Sequence, residues 1–168
     1  MSVADSATPG GTRVDGRGLR SALFIAVMAT ALALGGALAH LYALPNKIGM
    51  TAEDYFVAQQ AYRGWNATAA LLAVELGAMV VAAVLARRRP AVLRPVVLAI
   101  AGLLAAQAVF WVWTFPANTA TAQWTAVPAD WQALRAQWEW SHAAGALFQL
   151  IAMGALSLAA IAVAPPRC

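Results

Sequence analysis

Four stretches of this chain, 21–44, 65–86, 95–115 and 140–164, are almost unbroken aliphatic sequence. Each is long enough to cross a bilayer as a helix, because about 20 apolar residues at about 1.5 Å each cover the hydrocarbon thickness. None shows the apolar–polar alternation of a lipid-facing strand, which argues against a β-barrel. Charge agrees: 11% of the residues are charged, against about 25% in a water-soluble domain. The expected fold class is an all-α membrane protein, a four-transmembrane-helix bundle with short interfacial helices on the extracytoplasmic side. Its partner by this reading is the lipid bilayer. Residues 1–20 are expected to form a disordered cytoplasmic tail, since they are polar and Gly-rich and have little to bury. Residues 165–168 form a second, short tail.

The net charge of +4 is not a nucleic-acid footprint, because the basic residues sit at span ends. Arg13, Arg17 and Arg20 precede the first span, Arg87, Arg88, Arg89 and Arg94 fill the second connection, and Arg167 follows the fourth span. The other two connections hold only Lys47, Arg63 and Arg135. The positive-inside rule then places both termini and the second connection in the cytoplasm of a cell with a plasma or inner membrane. The tripeptide Ala37-Leu38-Ala39 resembles a signal-cleavage site, but the apolar run continues to Leu44, a length that favours a retained helix. Pro45-Asn46 should stop that helix. Cys168 is the single cysteine, which excludes a disulfide within this sequence.

Against this aliphatic background the polar residues inside spans are informative. His40 lies about one turn before the outer end of the first span. Thr51 with Asp54 fits an N-cap and acidic first turn, opening a short interfacial connector helix through Tyr55 and Tyr62. Glu75 falls about 15 Å below Trp65, near mid-membrane, where an ionisable residue is costly and either marks function or, protonated, hydrogen-bonds a neighbouring helix; Thr68 shares its face. Gln107 and Thr114 share a face of the third span, where a glutamine commonly joins helices. Trp111 and Trp113 suit an aromatic belt. After Phe115-Pro116-Ala117-Asn118, Asp130 can cap a last helix on which Arg135, Glu139 and His142 recur at helical steps. Their face continues through the small residues Gly145 and Ala146 to Gln149. Asn66 also falls near the outer boundary. The polar groups thus gather toward one leaflet, while the other half of every span is plain aliphatic. Burying them requires pairing, a metal or a water-filled cavity.

The spacing Glu139-x-x-His142 is one half of a di-iron bundle motif, and His40 and Glu75 do not complete that set. A mononuclear metal site of His40, His142 and Glu139 has enough ligands on paper, and haem held by the two histidines is conceivable. No cofactor is the expectation.

Pro116-x-Asn118 at the end of a third span, followed by a tryptophan-containing loop and then Arg135-x-x-Trp138 and His142 opening the fourth, resembles the DUF1772, or anthrone-oxygenase-like, membrane proteins. The resemblance covers four spans in layout and is specific between Phe115 and Gly145. It implies a small four-helix membrane bundle. It also implies, as in some members, oxidation of anthrones to anthraquinones by O₂ without a bound cofactor. The positions it singles out are Asn118, Arg135, Trp138 and His142. Where the family often carries an arginine shortly after the histidine, this chain has Gly145.

The expectation is an oxygenase acting on a flat, apolar phenolic substrate. His142 or His40 is the general base. Arg135 and Asn118 stabilise an oxyanion, and Glu139 orients His142 or pairs with Arg135. Glu75, Gln107, Trp111, Thr114, Trp138 and Gln149 are the candidate substrate contacts. The alternative is a non-enzymatic carrier or accessory subunit using the same polar cluster to bind.

Overall fold

The structure is a computed structural model that describes residues 11–163, with side chains from residue 16. It is an all-α bundle. The helices are α1 (Gly11–Lys47), α2 (Ala52–Gln59), α3 (Thr68–Leu85), α4 (Pro90–Val109), α5 (Phe115–Ala120) and α6 (Trp131–Val163). Four segments are long and apolar enough to cross a membrane: Gly16–Lys47, Trp65–Leu85, Pro90–Ala120 and Trp131–Val163. Exposed Phe24, Leu32, Val81, Leu98, Leu147 and Ile161 coat the outside, as a lipid-facing surface requires.

Four of the expected helix ends are corrected, each at a proline or a polar start. The first helix begins at Gly11 rather than at 21. Leu19, Ala22 and Leu23 lie in the aliphatic core, so residues 11–20 are helical, while 1–10 and 164–168 fall outside the described residues. The first helix also runs through Pro45 to Lys47. A proline this close to the C-terminus removes only one N–H bond. The third span starts at Pro90, where proline at the first helical position loses no hydrogen bond, and Pro95 is internal. At its other end the chain does not stop at Phe115-Pro116. A π-helical turn over Phe110–Thr114 leads directly into α5. Pro116 cannot bond the carbonyl four residues back and its ring crowds it. Widening the preceding turn relieves that conflict, a common origin of π-bulges.

Packing divides the bundle lengthwise. Toward the end carrying Arg20, Arg87 and Arg88, a core of Leu19, Leu23, Met79, Val96, Leu103 and Leu156 fills the space between helices. Here Gly102 lets α4 and α6 touch: a Cβ at that position would stand 2.9 Å from the Phe148 carbonyl oxygen. Toward the opposite end, the chain between the first two spans folds over the bundle. Thr51 caps α2 by accepting from the Asp54 N–H at 3.2 Å, as its sequence indicates. The helix is more than a connector, however. Tyr55 and Phe56 are buried against Ala117, Trp124 and Trp138, forming an aromatic lid.

Candidate functional site

Between the aliphatic core and the aromatic lid lies a cavity of about 850 Å³. Its wall is contributed by α1 (Gly36, Ala37, His40), the segment entering α3 (Tyr62, Trp65, Leu72), the α4–α5 region (Gln107, Trp111, Asn118) and α6 (Trp138, His142, Gly145). The volume exists because the helices present small residues here. A Cβ added to Gly145 would meet nothing within 4 Å.

Two histidines from opposite ends of the sequence meet in this wall. The rings of His40 and His142 are 4.3 Å apart between centroids, tilted by 50°. Trp138 stacks on His142 at 3.9 Å, while Tyr62 lies 4.4 Å from His40. His142 Nδ1 is 2.9 Å from the Trp138 carbonyl oxygen. A carbonyl only accepts, so Nδ1 carries the proton and a neutral His142 leaves Nε2 as a bare lone pair. Rings in contact cannot act as opposed axial ligands of one haem iron, because no porphyrin fits between them. Among the described residues, no group of three His, Cys, Asp or Glu side chains is arranged to hold a metal. The set of His40, His142 and Glu139 therefore does not form one.

Asn118 is fixed by two indoles. Its Oδ1 accepts from Trp124 Nε1 and from Trp138 Nε1, each at 2.9 Å. With the oxygen so occupied, the Nδ2 amide is left to donate toward the cavity it lines. The Trp124 contact depends on a rare backbone shape: Ala122, Gln123 and Trp124 have φ of 46°, 58° and 62°. Gln60 secures this turn by donating to the Trp124 carbonyl at 2.8 Å. At the end of the π-turn the Thr114 and Ser141 hydroxyls are 2.7 Å apart, which fastens that span to α6.

Arg135 and Glu139 do not line this cavity, and they do not pair with each other. This corrects the expected ion pair and the expected orientation of His142 by Glu139. Arg135 donates to the Met50 carbonyl at 2.6 Å and lies over the Trp131 ring. Glu139, 1% exposed, takes its charge partner from Lys47, whose Nζ is 2.8 Å from Oε1. Tyr55 donates to the same oxygen at 3.0 Å, and Lys47 also donates to Gln59 at 3.1 Å. Burial, with the Glu139 carboxylate beside it, pushes the Tyr55 hydroxyl far above its ordinary range, so it remains a donor. Lys47 sits over the Trp138 ring at 4.5 Å. Trp138 thus touches both the knot and the histidine pair, and Gln59 of the knot also lines the cavity.

Glu75 is fully buried but also stands behind the cavity. It accepts from Thr30 at 2.7 Å and faces the Gln149 amide at 3.4 Å. Gln107, Trp111, Thr114, Trp138 and Gln149 line the cavity. Thr68 and Asn66 line it too, although both are largely exposed. Lys47, Tyr55, Gln59, Thr30 and Trp124 have structural importance that the sequence reading missed. A lysine at the end of an apolar span has the signature of a headgroup anchor, and only the fold of α2 over it reveals the burial.

The fold and site together define an all-α four-helix membrane bundle with a partly open, aromatic-walled cavity at one end. No family model, curated protein or solved structure matches the chain.

Proposed function

We propose that this chain is a membrane oxygenase that admits a flat, apolar phenolic substrate from the bilayer and oxidises it with O₂. The observation that carries the reading is the cavity of about 850 Å³ with a contacting imidazole pair in its wall. Ligand pockets combine mainly apolar and aromatic walls with a few placed polar groups, and this one fits that description. The arginines at the opposite end of the bundle favour an extracytoplasmic position for the cavity. The resemblance to anthrone-oxygenase-like proteins supports the same substrate class.

In this mechanism His142 Nε2 removes a proton from an activated ring methylene. The Asn118 amide donates to the carbonyl oxygen that gains charge as the enolate forms. The carbanion carbon bonds to O₂, giving a peroxide anion that recovers the proton from His142. Loss of water leaves a new carbonyl, so one methylene and one O₂ become one carbonyl and one water. His40, tilted against His142 at 4.3 Å, holds the ring in place and is the second candidate base. Arg135 and Glu139 act in this scheme only through the architecture around Trp138.

The test is oxygen consumption by the purified chain in lipid nanodiscs supplied with anthrone. Wild-type should consume one O₂ per anthrone, and His142→Ala should lose turnover while its melting temperature is retained. A folded His142→Ala variant with full activity would remove the proposed base. Substrate binding without any oxygen consumption by wild-type would identify a carrier instead.

A further inference from the structure

Gln107 sits in the middle of a membrane-spanning helix and lines the cavity. A glutamine at such depth usually bonds a neighbouring helix, as Gln149 does toward Glu75. Gln107 instead makes no side-chain hydrogen bond among the described residues. Its amide atoms are also absent from the sealed, unpartnered polar atoms of the interior, which are His40 Nδ1, Arg135 Nε, Glu139 Oε2 and Gln149 Oε1. Gln107 is half-buried and lines the cavity, so its amide stands at that wall with both its donor and its acceptor unspent. In an apolar medium such a group is unfavourable until something pairs with it.

Its depth relative to the histidines follows from two fixed points between antiparallel helices. Thr114 meets Ser141 near the lid, and Gly102 meets Phe148 toward the core. Gln107 lies between these levels, about one helical turn, or about 5 Å, deeper than His142. The wall around it is small or aromatic: Ala106, Phe110, Trp111 and Gly145.

We propose that Gln107 is a specificity-determining residue that reads a hydroxyl group on the ligand, remote from the carbon facing His142. A hydroxyl donates to Oε1 and accepts from Nε2, satisfying both halves of the amide; a ring carbonyl satisfies only the donor. The ligand class is thus narrowed to polycyclic aromatics bearing a phenolic hydroxyl at the deep end of the cavity. This rests on the proposed aromatic-binding cavity but does not depend on oxidation taking place.

The experiment measures energy transfer from the cavity tryptophans to anthracene, 2-hydroxyanthracene and 2-methoxyanthracene in nanodiscs, with wild-type and Gln107→Leu. Wild-type should bind the hydroxy compound about tenfold more tightly than the other two, as expected for a buried acceptor left unpaired. Gln107→Leu should lose that preference and keep or raise the melting temperature, since an unpaired amide is replaced by an apolar side chain. Equal wild-type binding of all three probes overturns the proposal, and so does persistence of the preference in Gln107→Leu. A lowered melting temperature in Gln107→Leu would make the residue an interhelical bond and overturn it as well. Failure of every probe to bind wild-type overturns both this proposal and the cavity reading. Selective binding without oxygen consumption leaves this one standing and removes only the chemistry.

Discussion

At the scale of single residues, the site depends on how few alternatives each polar atom has. Asn118 accepts from two indoles at 2.9 Å, so its orientation is dictated by donors that cannot accept in return. Asn118→Leu should leave both indole N–H groups unpaired and lower stability by about 2 kcal/mol or more. Asn118→Asp should keep the two bonds while removing the amide donor, so it should bind ligand but turn over poorly. Denaturation and oxygen uptake of the two variants separate these effects. Ala122 offers a test of opposite sign. Its φ of 46° is left-handed, a conformation costing a non-glycine residue roughly 1–2 kcal/mol. Ala122→Gly should be neutral or stabilising by up to about 1 kcal/mol, in contrast to glycine elsewhere in the chain. Asn118 was legible from its place at the outer end of a span and from the resemblance carried by Pro116-x-Asn118. Its partner Trp124 was not, because three successive left-handed residues have no signature in Ala-Gln-Trp.

Helices and their connections show where local patterns give way to tertiary ones. Four spans could be read from the sequence because hydropathy averages over a whole helix and tolerates errors at its ends. The ends themselves were misplaced, since Pro45 and Pro116 look like stops and are accommodated inside continuous helices. Arg135 and Glu139 illustrate the same limit. At four residues apart they are plausible partners on an isolated helix, but a buried lysine on α1 competes for the carboxylate and wins. Lys47, Glu139, Tyr55 and Gln59 tie α1, α2 and α6 together. Breaking a buried pair by removing one charge costs about 3–5 kcal/mol, whereas replacing both is often nearly neutral. Lys47→Met should therefore lower the melting temperature sharply, and Lys47→Met combined with Glu139→Leu should recover much of the loss. Where α4 crosses α6 the dependence is steric. Gly102→Ala would place its Cβ 2.9 Å from the Phe148 carbonyl oxygen, and overpacking of this kind costs about 1–3 kcal/mol. Thermal unfolding in detergent reads both effects.

For the whole molecule, the division into an aliphatic half and a polar, aromatic half follows from what a bilayer tolerates. Polar side chains in hydrocarbon must pair or face an internal space, and this chain does both. Lys47 with Glu139 and Thr30 with Glu75 are paired, while His142, Asn118 and Gln107 face the cavity. The concentration of polar residues toward one leaflet was visible in the sequence. The pairing of Lys47 with Glu139 apart from the histidine pair was not, since it depends on the order in which helices meet. The central claim is that the cavity itself is the site. Gly145 provides the most direct measurement, because it lines the space and a Cβ there meets no atom within 4 Å. Gly145→Phe should project a ring into the cavity one helical turn from His142, preserve the melting temperature, weaken energy transfer to 2-hydroxyanthracene and abolish oxygen uptake with anthrone. A stable Gly145→Phe protein that binds the probe as tightly as wild-type would contradict the account.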